Sequence, residues 1–347
     1  MVDKTGLILG IIVAGIIAAF AAVNVSYTLD LIFFLAFYAI AALSLNLEYG
    51  YAGLSNFGKV GFIAVGAYTA GVLSAAYGVP FPLCLIAAAI AAAAVGAFIA
   101  IPTVKLREDY LGMSTIIIGE MIRILLRNTP TNSVWGGVFG LRGIKPPFDF
   151  ITNTFERTIA YVGLSVVLFF FTYILLERWG NSPLGRVLKS IRDDELASKS
   201  IGKFTYRYKL LALTLGSALA GLAGALYAFY FLYLNPDTFL PLVTFLIWVM
   251  VIIGGMANNA GVVLGTAIVI LINRLTQIAK DYIHLPLEPN YFQAMLVGLL
   301  IILFLMFRPQ GLVPEKPVRT PAWRVLEERA PKEIDYLKEG EGGEENE

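Results

Sequence analysis

Apolar residues in this chain come in long runs separated by short polar or glycine-rich breaks, and the runs have the length of membrane helices. Ten spans are predicted, at roughly 6–23, 29–47, 60–76, 82–101, 110–126, 158–176, 210–232, 239–255, 261–275 and 291–307. Those at 60–76, 110–126, 239–255 and 261–275 are short or carry Gly, Glu or Arg, so one or two could be half-spanning. The first run follows Lys4 and contains Ala19, Phe20 and Ala21, a pattern shared with cleavable signal peptides. It is longer than the usual apolar region of about 7–15 residues, which favours a first span.

Lys and Arg in short loops stay on the cytoplasmic side of a membrane. The segment between the sixth and seventh spans carries Arg178, Arg186, Lys189, Arg192, Lys199, Lys203, Arg207 and Lys209 against Glu177, Asp193, Asp194 and Glu195. It is therefore expected inside. Counting outward places Lys4, Lys59, Lys105, Arg107 and the tail from Arg308 inside as well, and leaves Arg142, Lys145, Arg157 and Lys280 outside. Both termini come out cytoplasmic. The predicted organisation is an all-α, polytopic transmembrane domain over 1–309, with a cytoplasmic loop at 177–209 and outer loops at 128–157 and 276–290. A cytoplasmic tail at 310–347 follows, and its acidic, glycine-rich end is expected to be disordered.

Composition removes the soluble alternative: 58% of the 347 residues are hydrophobic and 15% are charged, with a mean hydropathy of +0.74. A formal net charge of +1 gives no field that would attract nucleic acid. A single cysteine, Cys84, and a single histidine, His284, exclude an internal disulfide and an imidazole metal site. No catalytic, cofactor-binding or metal-binding set is expected, and the chain reads as no enzyme.

Gly53 to Lys59 has the spacing of a phosphate-binding loop, but Val60 stands where a magnesium-binding hydroxyl is required and no strand precedes it. Gly50, Gly53, Gly58, Gly61, Gly66 and Gly71, with Ser55 and Asn56, instead mark a stretch where backbones approach closely. Gly254, Gly255, Asn258, Asn259 and Gly261 form a second interruption. Paired interruptions point to a translocation path in transporters, here through Gly53, Ser55, Asn56, Gly58, Gly254 and Gly255. Tight packing around a cytoplasmic turn is the other reading. Glu120 and Arg123 share one helical face; they are either a structural ion pair near the outer surface or part of the path. Leu184 to Ile201, opened by Pro183 and closed by Gly202, is predicted as a short amphipathic helix on the cytoplasmic face. Its Asp193, Asp194 and Glu195 argue against a role in lipid binding alone.

Four segments resemble, in order, the membrane permease subunits of ATP-binding-cassette importers for branched-chain amino acids. They are Leu45 to Gly58 with Gly66 to Ala70; Leu106 to Leu111 with Gly119 to Arg123; Gly185 to Ala197 with Gly202, Tyr208 and Lys209; and Arg308 to Leu312. The resemblance runs from about Leu43 to Pro314. Departures are Lys59, where members commonly carry histidine, and Leu196-Ala197-Ser198, which aligns with the importer triplet Glu-Ala-Ala. The resemblance implies that Arg186, Arg192, Asp193, Glu195, Ala197 and Gly202 belong to a loop docking on separate ATPase subunits. It also implies a second homologous permease, an external substrate-binding protein, a cell-membrane location among lipid, and no cofactor on this chain. The rival is a secondary transporter or channel coupled to an ion gradient, which would need more ionisable residues in mid-span than Glu120, with Glu48 and Arg274 near span ends.

Overall fold

The computed structural model describes residues 25–282 and, beyond them, 295, 298–299, 302–304, 306–308 and 310–315. The predicted spans at 6–23 and, for the most part, 291–307, the loop beyond 282, and the tail beyond 315 lie outside the described residues. Among those described, every regular element is helical. In chain order they are α1 (Val25–Leu45, continuing as a π-helical turn Asn46–Tyr51), α2 (Lys59–Tyr77), α3 (Phe81–Thr103), α4 (Glu108–Arg127) and α5 (Thr154–Asn181). Then follow α6 (Pro183–Asp193), α7 (Glu195–Ser200), α8 (Thr205–Phe231), α9 (Pro241–Gly254) and α10 (Asn259–Tyr282).

Seven of these stretches are long and apolar enough to cross a membrane: Val25–Tyr51, Lys59–Tyr77, Phe81–Thr103, Thr154–Asn181, Thr205–Phe231, Pro236–Gly254 and Asn259–Thr276. Each coincides with a predicted span. The span at 110–126 forms a helix, α4, but Glu108, Asp109, Glu120, Arg123 and Arg127 make it the most charged of the long helices. Local signals set the boundaries. Pro sits in the first turn of α3, α6 and α9, where a missing N–H costs nothing. Asn153 caps α5 through the Phe155 N–H, which places Arg157 in a helix and not in the outer loop. The helix α10 runs to Tyr282, so the loop expected from 276 starts later.

The inter-helix segments sort to two ends. At one end lie residues 52–58, 104–107, 182–204 and 255–258, linked by Arg192 donating to the Gly50 carbonyl (2.5 Å) and Tyr206 donating to the Ile101 carbonyl (3.3 Å). At the other end residues 128–153 fold over the helix tips. There Leu141 and Leu234 exchange backbone hydrogen bonds of 2.8 and 3.1 Å, and the Lys145 N–H donates to the Ser74 hydroxyl.

At the centre stands α8. Its small residues Gly216, Ser217, Ala220, Gly221, Ala223 and Gly224 are buried against α1, α2 and α3, and the Tyr161 hydroxyl of α5 donates to its Leu226 carbonyl (2.7 Å). The α2–α8 contact is backbone on backbone: a methyl group at Gly66 would overlap the Gly221 carbonyl. Lipid gives two helices no hydrophobic reason to associate, so close approach and dispersion hold this contact. Replacing Gly66 with Ala is expected to destabilise the bundle by about 1–3 kcal/mol. A thermal shift in detergent checks it; an unchanged midpoint would show that the helices can separate freely there.

Candidate functional site

The glycine-rich break between α1 and α2 is built around an ion pair. Glu48, in the π-helical turn, accepts from the Lys59 ammonium (2.7 Å) and from the Asn56 amide (2.8 Å), and both charged side chains have 0% exposure. On α8, Gly216 leaves room for this carboxylate, since a methyl there would overlap it. Past the π-helical turn, residues 53–58 have no regular structure, yet their polar groups find partners. The Leu54 N–H donates to the Glu48 carbonyl (2.9 Å), the Gly58 N–H to the Asn56 side chain (2.9 Å), and the Phe57 N–H to the Thr115 hydroxyl of α4 (3.1 Å). Trp248 of α9 donates its indole N–H to the Asn56 carbonyl (3.0 Å), and the Thr244 hydroxyl accepts from the Val60 N–H (3.0 Å). Irregular backbone inside a membrane protein survives when protein satisfies it in this way.

The expectation for Lys59 is corrected here. It is no loop cation and carries no topological signal, because burial and Glu48 consume its charge.

The second interruption docks on the same turn. Asn46 accepts from the Ala257 N–H (2.9 Å) and donates to Asn259 (3.0 Å), whose amide in turn donates to Glu177 at the end of α5 (3.1 Å). Gly255 turns the chain with φ +109. Gly254 and Ile253 end α9 with carbonyls that accept from the Val313 and Leu312 N–H groups (3.1 and 2.8 Å).

Above this junction lies the charged loop, and the single helix expected over 184–201 is in fact two. Asp194 leaves the helical region and caps α7 through the Ala197 N–H (2.9 Å), breaking the helix at the acidic run. Leu188 and Ile191 are buried beneath α6. Arg192 reaches from α6 into the glycine-rich break, donating to Gly50 while its stem lies against Gly53, whose φ of +66 and missing side chain permit the approach. Two sets of residues singled out separately in the sequence therefore touch: Arg192 of the loop, and Gly53 of the break.

Of the remaining sequence candidates, Ser55 is half-buried, Asn56, Gly58, Gly254 and Gly255 are buried, and Arg186, Asp193, Ala197 and Gly202 lie on the loop's exposed side. Exposed with them are Leu196 (75%), Ile201 (70%) and Phe204 (69%), an apolar tip framed by charges. Glu195 turns inward instead. It accepts from Lys209 (2.6 Å), Lys199 (2.9 Å) and the Thr205 hydroxyl (3.0 Å), tying α7 to α8. Partial burial pushes its carboxyl upward, but the two ammonium groups outweigh it and hold the group at about 2, below the usual 4.5. Glu120 is at the opposite end, paired with Arg123, which also binds Asp237 (2.6 Å). It does not meet the other path candidates directly. Asp237 escaped sequence reading because it sits in a loop more than a hundred residues away, whereas Asn46, Glu48 and Asn259 were visible as polar residues flanking the two breaks.

Residues 27–305 match the family model described as branched-chain amino acid transport system / permease component. The chain belongs to that permease family. It is 34% identical to the probable branched-chain amino acid transport permease protein LivM of Methanocaldococcus jannaschii, over 82% of this chain and 92% of the relative. Against the high-affinity branched-chain amino acid transport system permease proteins LivM of Escherichia coli and Salmonella typhimurium it is 32% identical. These cover 83% and 80% of this chain and 70% and 68% of the relatives. No solved structure matches significantly. The permease is a multi-pass membrane protein and a transport subunit, not an enzyme.

Two outcomes follow for this permease. Lys59→Met leaves the Glu48 carboxylate buried without its cation and is expected to cost about 3–5 kcal/mol, while Glu48→Leu/Lys59→Met recovers most of the loss. A double-mutant cycle on detergent unfolding measures this, and additive losses would refute the coupling. For Glu195, the depressed folded value means its stabilisation is complete above the unfolded value of 4.5 and is lost as pH falls towards about 2. Protection factors in 195–209, with the intrinsic pH dependence of amide exchange divided out, should therefore be flat from neutral pH down to about 5 and fall below it. Glu195→Gln should show the low protection already at neutral pH.

Proposed function

We propose that this permease is the membrane subunit of an ATP-driven importer in the cell membrane. It carries leucine, isoleucine, valine or a related small amino acid delivered by an external binding protein. It spans the membrane about ten times with both termini cytoplasmic, beside a second homologous permease. Two ATPase subunits serve the pair of permeases, and one of them docks on the exposed side of α6 and α7, where Leu196, Ile201 and Phe204 offer an apolar knob and Arg186 and Asp193 a charged rim. The permease hydrolyses nothing itself.

One observation carries the mechanism: the hydrogen bond from Arg192 to the Gly50 carbonyl. Through it a displacement of the docking helices is passed directly to the π-helical turn. That turn is tied by Glu48 to the break before α2 and by Asn46 to the start of α10. A π-turn carries weaker, wider hydrogen bonding than an α-helix and is a suitable place for such a rearrangement. The buried charges are already paired with each other, which speaks for energy supplied by partner subunits over an ion gradient.

Reconstitution of the full complex in proteoliposomes tests this. Wild-type uptake of radiolabelled leucine should require the binding protein and ATP, and Arg192→Ala should cut uptake at least about tenfold while ATP hydrolysis continues. Uptake that persists without ATP but follows an imposed ion gradient would overturn the proposal.

A further inference from the structure

Exposed apolar residues are ordinary on the outer helices of a membrane bundle, and α3 has them in number: Leu83, Ile86, Ile90 and Phe98, with no charged residue anywhere in the helix. The exposed face of α4 differs. Tyr110, Met113, Ile117 and Ile124 are each more than 40% exposed and recur at spacings of three, four and seven, so that Glu120 falls on the same face between Ile117 and Ile124. A carboxylate there is not tolerated against acyl chains; ionisable residues within membrane helices face protein or a water-filled cavity. The α4 face is therefore not turned to lipid.

The polar groups on this face form a balanced set. Glu120 pairs with Arg123, and Arg123 and Arg127 both approach Asp237, at 2.6 and 3.6 Å. Two carboxylates and two guanidinium groups sum to no net charge, so the cluster attracts neither a cation nor an anion over distance. It suits a molecule that carries both charges side by side. Close by, Tyr68 packs against Phe239, two residues from Asp237, and its buried hydroxyl has no hydrogen-bond partner among the described residues. A buried polar group without a partner is rare and marks an uncommitted donor at this end of the bundle.

We propose that Glu120 and Arg123 receive the ammonium and carboxylate groups of the travelling amino acid, while the apolar face below them, Ile117 and Met113, takes its side chain. The inference rests on the importer reading and assigns the contact residues within it. Adjacent acid and base side chains match two opposite charges separated by one carbon, and exchange of their mutual pairing for the substrate leaves each charge satisfied. The next step inward is mechanical. Gly58 and Gly61 hold α4 at backbone contact through Thr115 and Gly119, so the same break that Arg192 grips also carries the receiving helix.

The test uses the complete reconstituted complex. Glu120→Gln should lower kcat/KM for leucine uptake by about tenfold or more, with stimulation of ATP hydrolysis by the loaded binding protein retained. A second measurement does not depend on that variant folding. With Cys84 replaced by Ala, Ile117→Cys should react with a charged, membrane-impermeant methanethiosulfonate reagent, and saturating leucine with binding protein and ATP should slow the reaction several-fold. Phe98→Cys on α3, which is 77% exposed, should remain unreactive. Wild-type rates for Glu120→Gln, or an Ile117→Cys as inert as Phe98→Cys in every nucleotide state, would overturn the inference while leaving the importer intact. Absence of leucine uptake by the wild-type complex would instead remove the importer reading itself.

Discussion

The Glu48–Lys59 pair is the constraint on which the rest of the bundle depends. Two full charges without exposure are expensive, and their attraction offsets the cost only with good geometry and extra hydrogen bonds, which Asn56 provides. Once that pair is made, the chain between it has one available course. It must leave α1 in a widened turn, cross as an irregular segment over 53–58 and start α2 at Lys59. The glycines follow from this course, since Gly58, Gly216 and Gly61 stand where neighbouring backbone or the carboxylate itself would meet a side chain.

From the same turn both the loop helices and α10 are reached in a few bonds. Arg192 joins it to the loop helices, Asn46 joins it to α10, and Asn259 passes the connection to Glu177, beside the loop's beginning. These are hydrogen bonds between discrete partners, able to exist in one arrangement or another. Such a network suits switching better than continuous deformation, because close-packed interiors do not stretch.

Much of this was legible in the sequence. The seven apolar helices coincide with predicted spans because their hydrophobicity does not depend on context. Both interruptions were visible as glycine clusters for a similar reason: few other residues fit there. What could not be read was pairing across distance. Lys59 looked like a loop cation because its partner lies across the break, and Glu120 looked self-contained with Arg123 because Asp237 is remote in sequence. The helix expected over 184–201 has a sound amphipathic pattern, and only the local competition of the Asp194 side chain for backbone N–H groups divides it. Pattern describes faces, whereas a cap is decided by one dihedral.

The end of α9 has a bearing on how the protein is made. Its last carbonyls, on Ile253 and Gly254, accept hydrogen bonds from Leu312 and Val313, nearly sixty residues later in the chain. A ribosome delivering this protein releases α9 into the membrane well before those residues have left the exit tunnel. Until they emerge, the helix end must borrow water or lipid headgroups for its open acceptors. Closure at this point therefore waits on residues made long after the helix itself, and a chain truncated just short of them would leave the end of α9 with open acceptors.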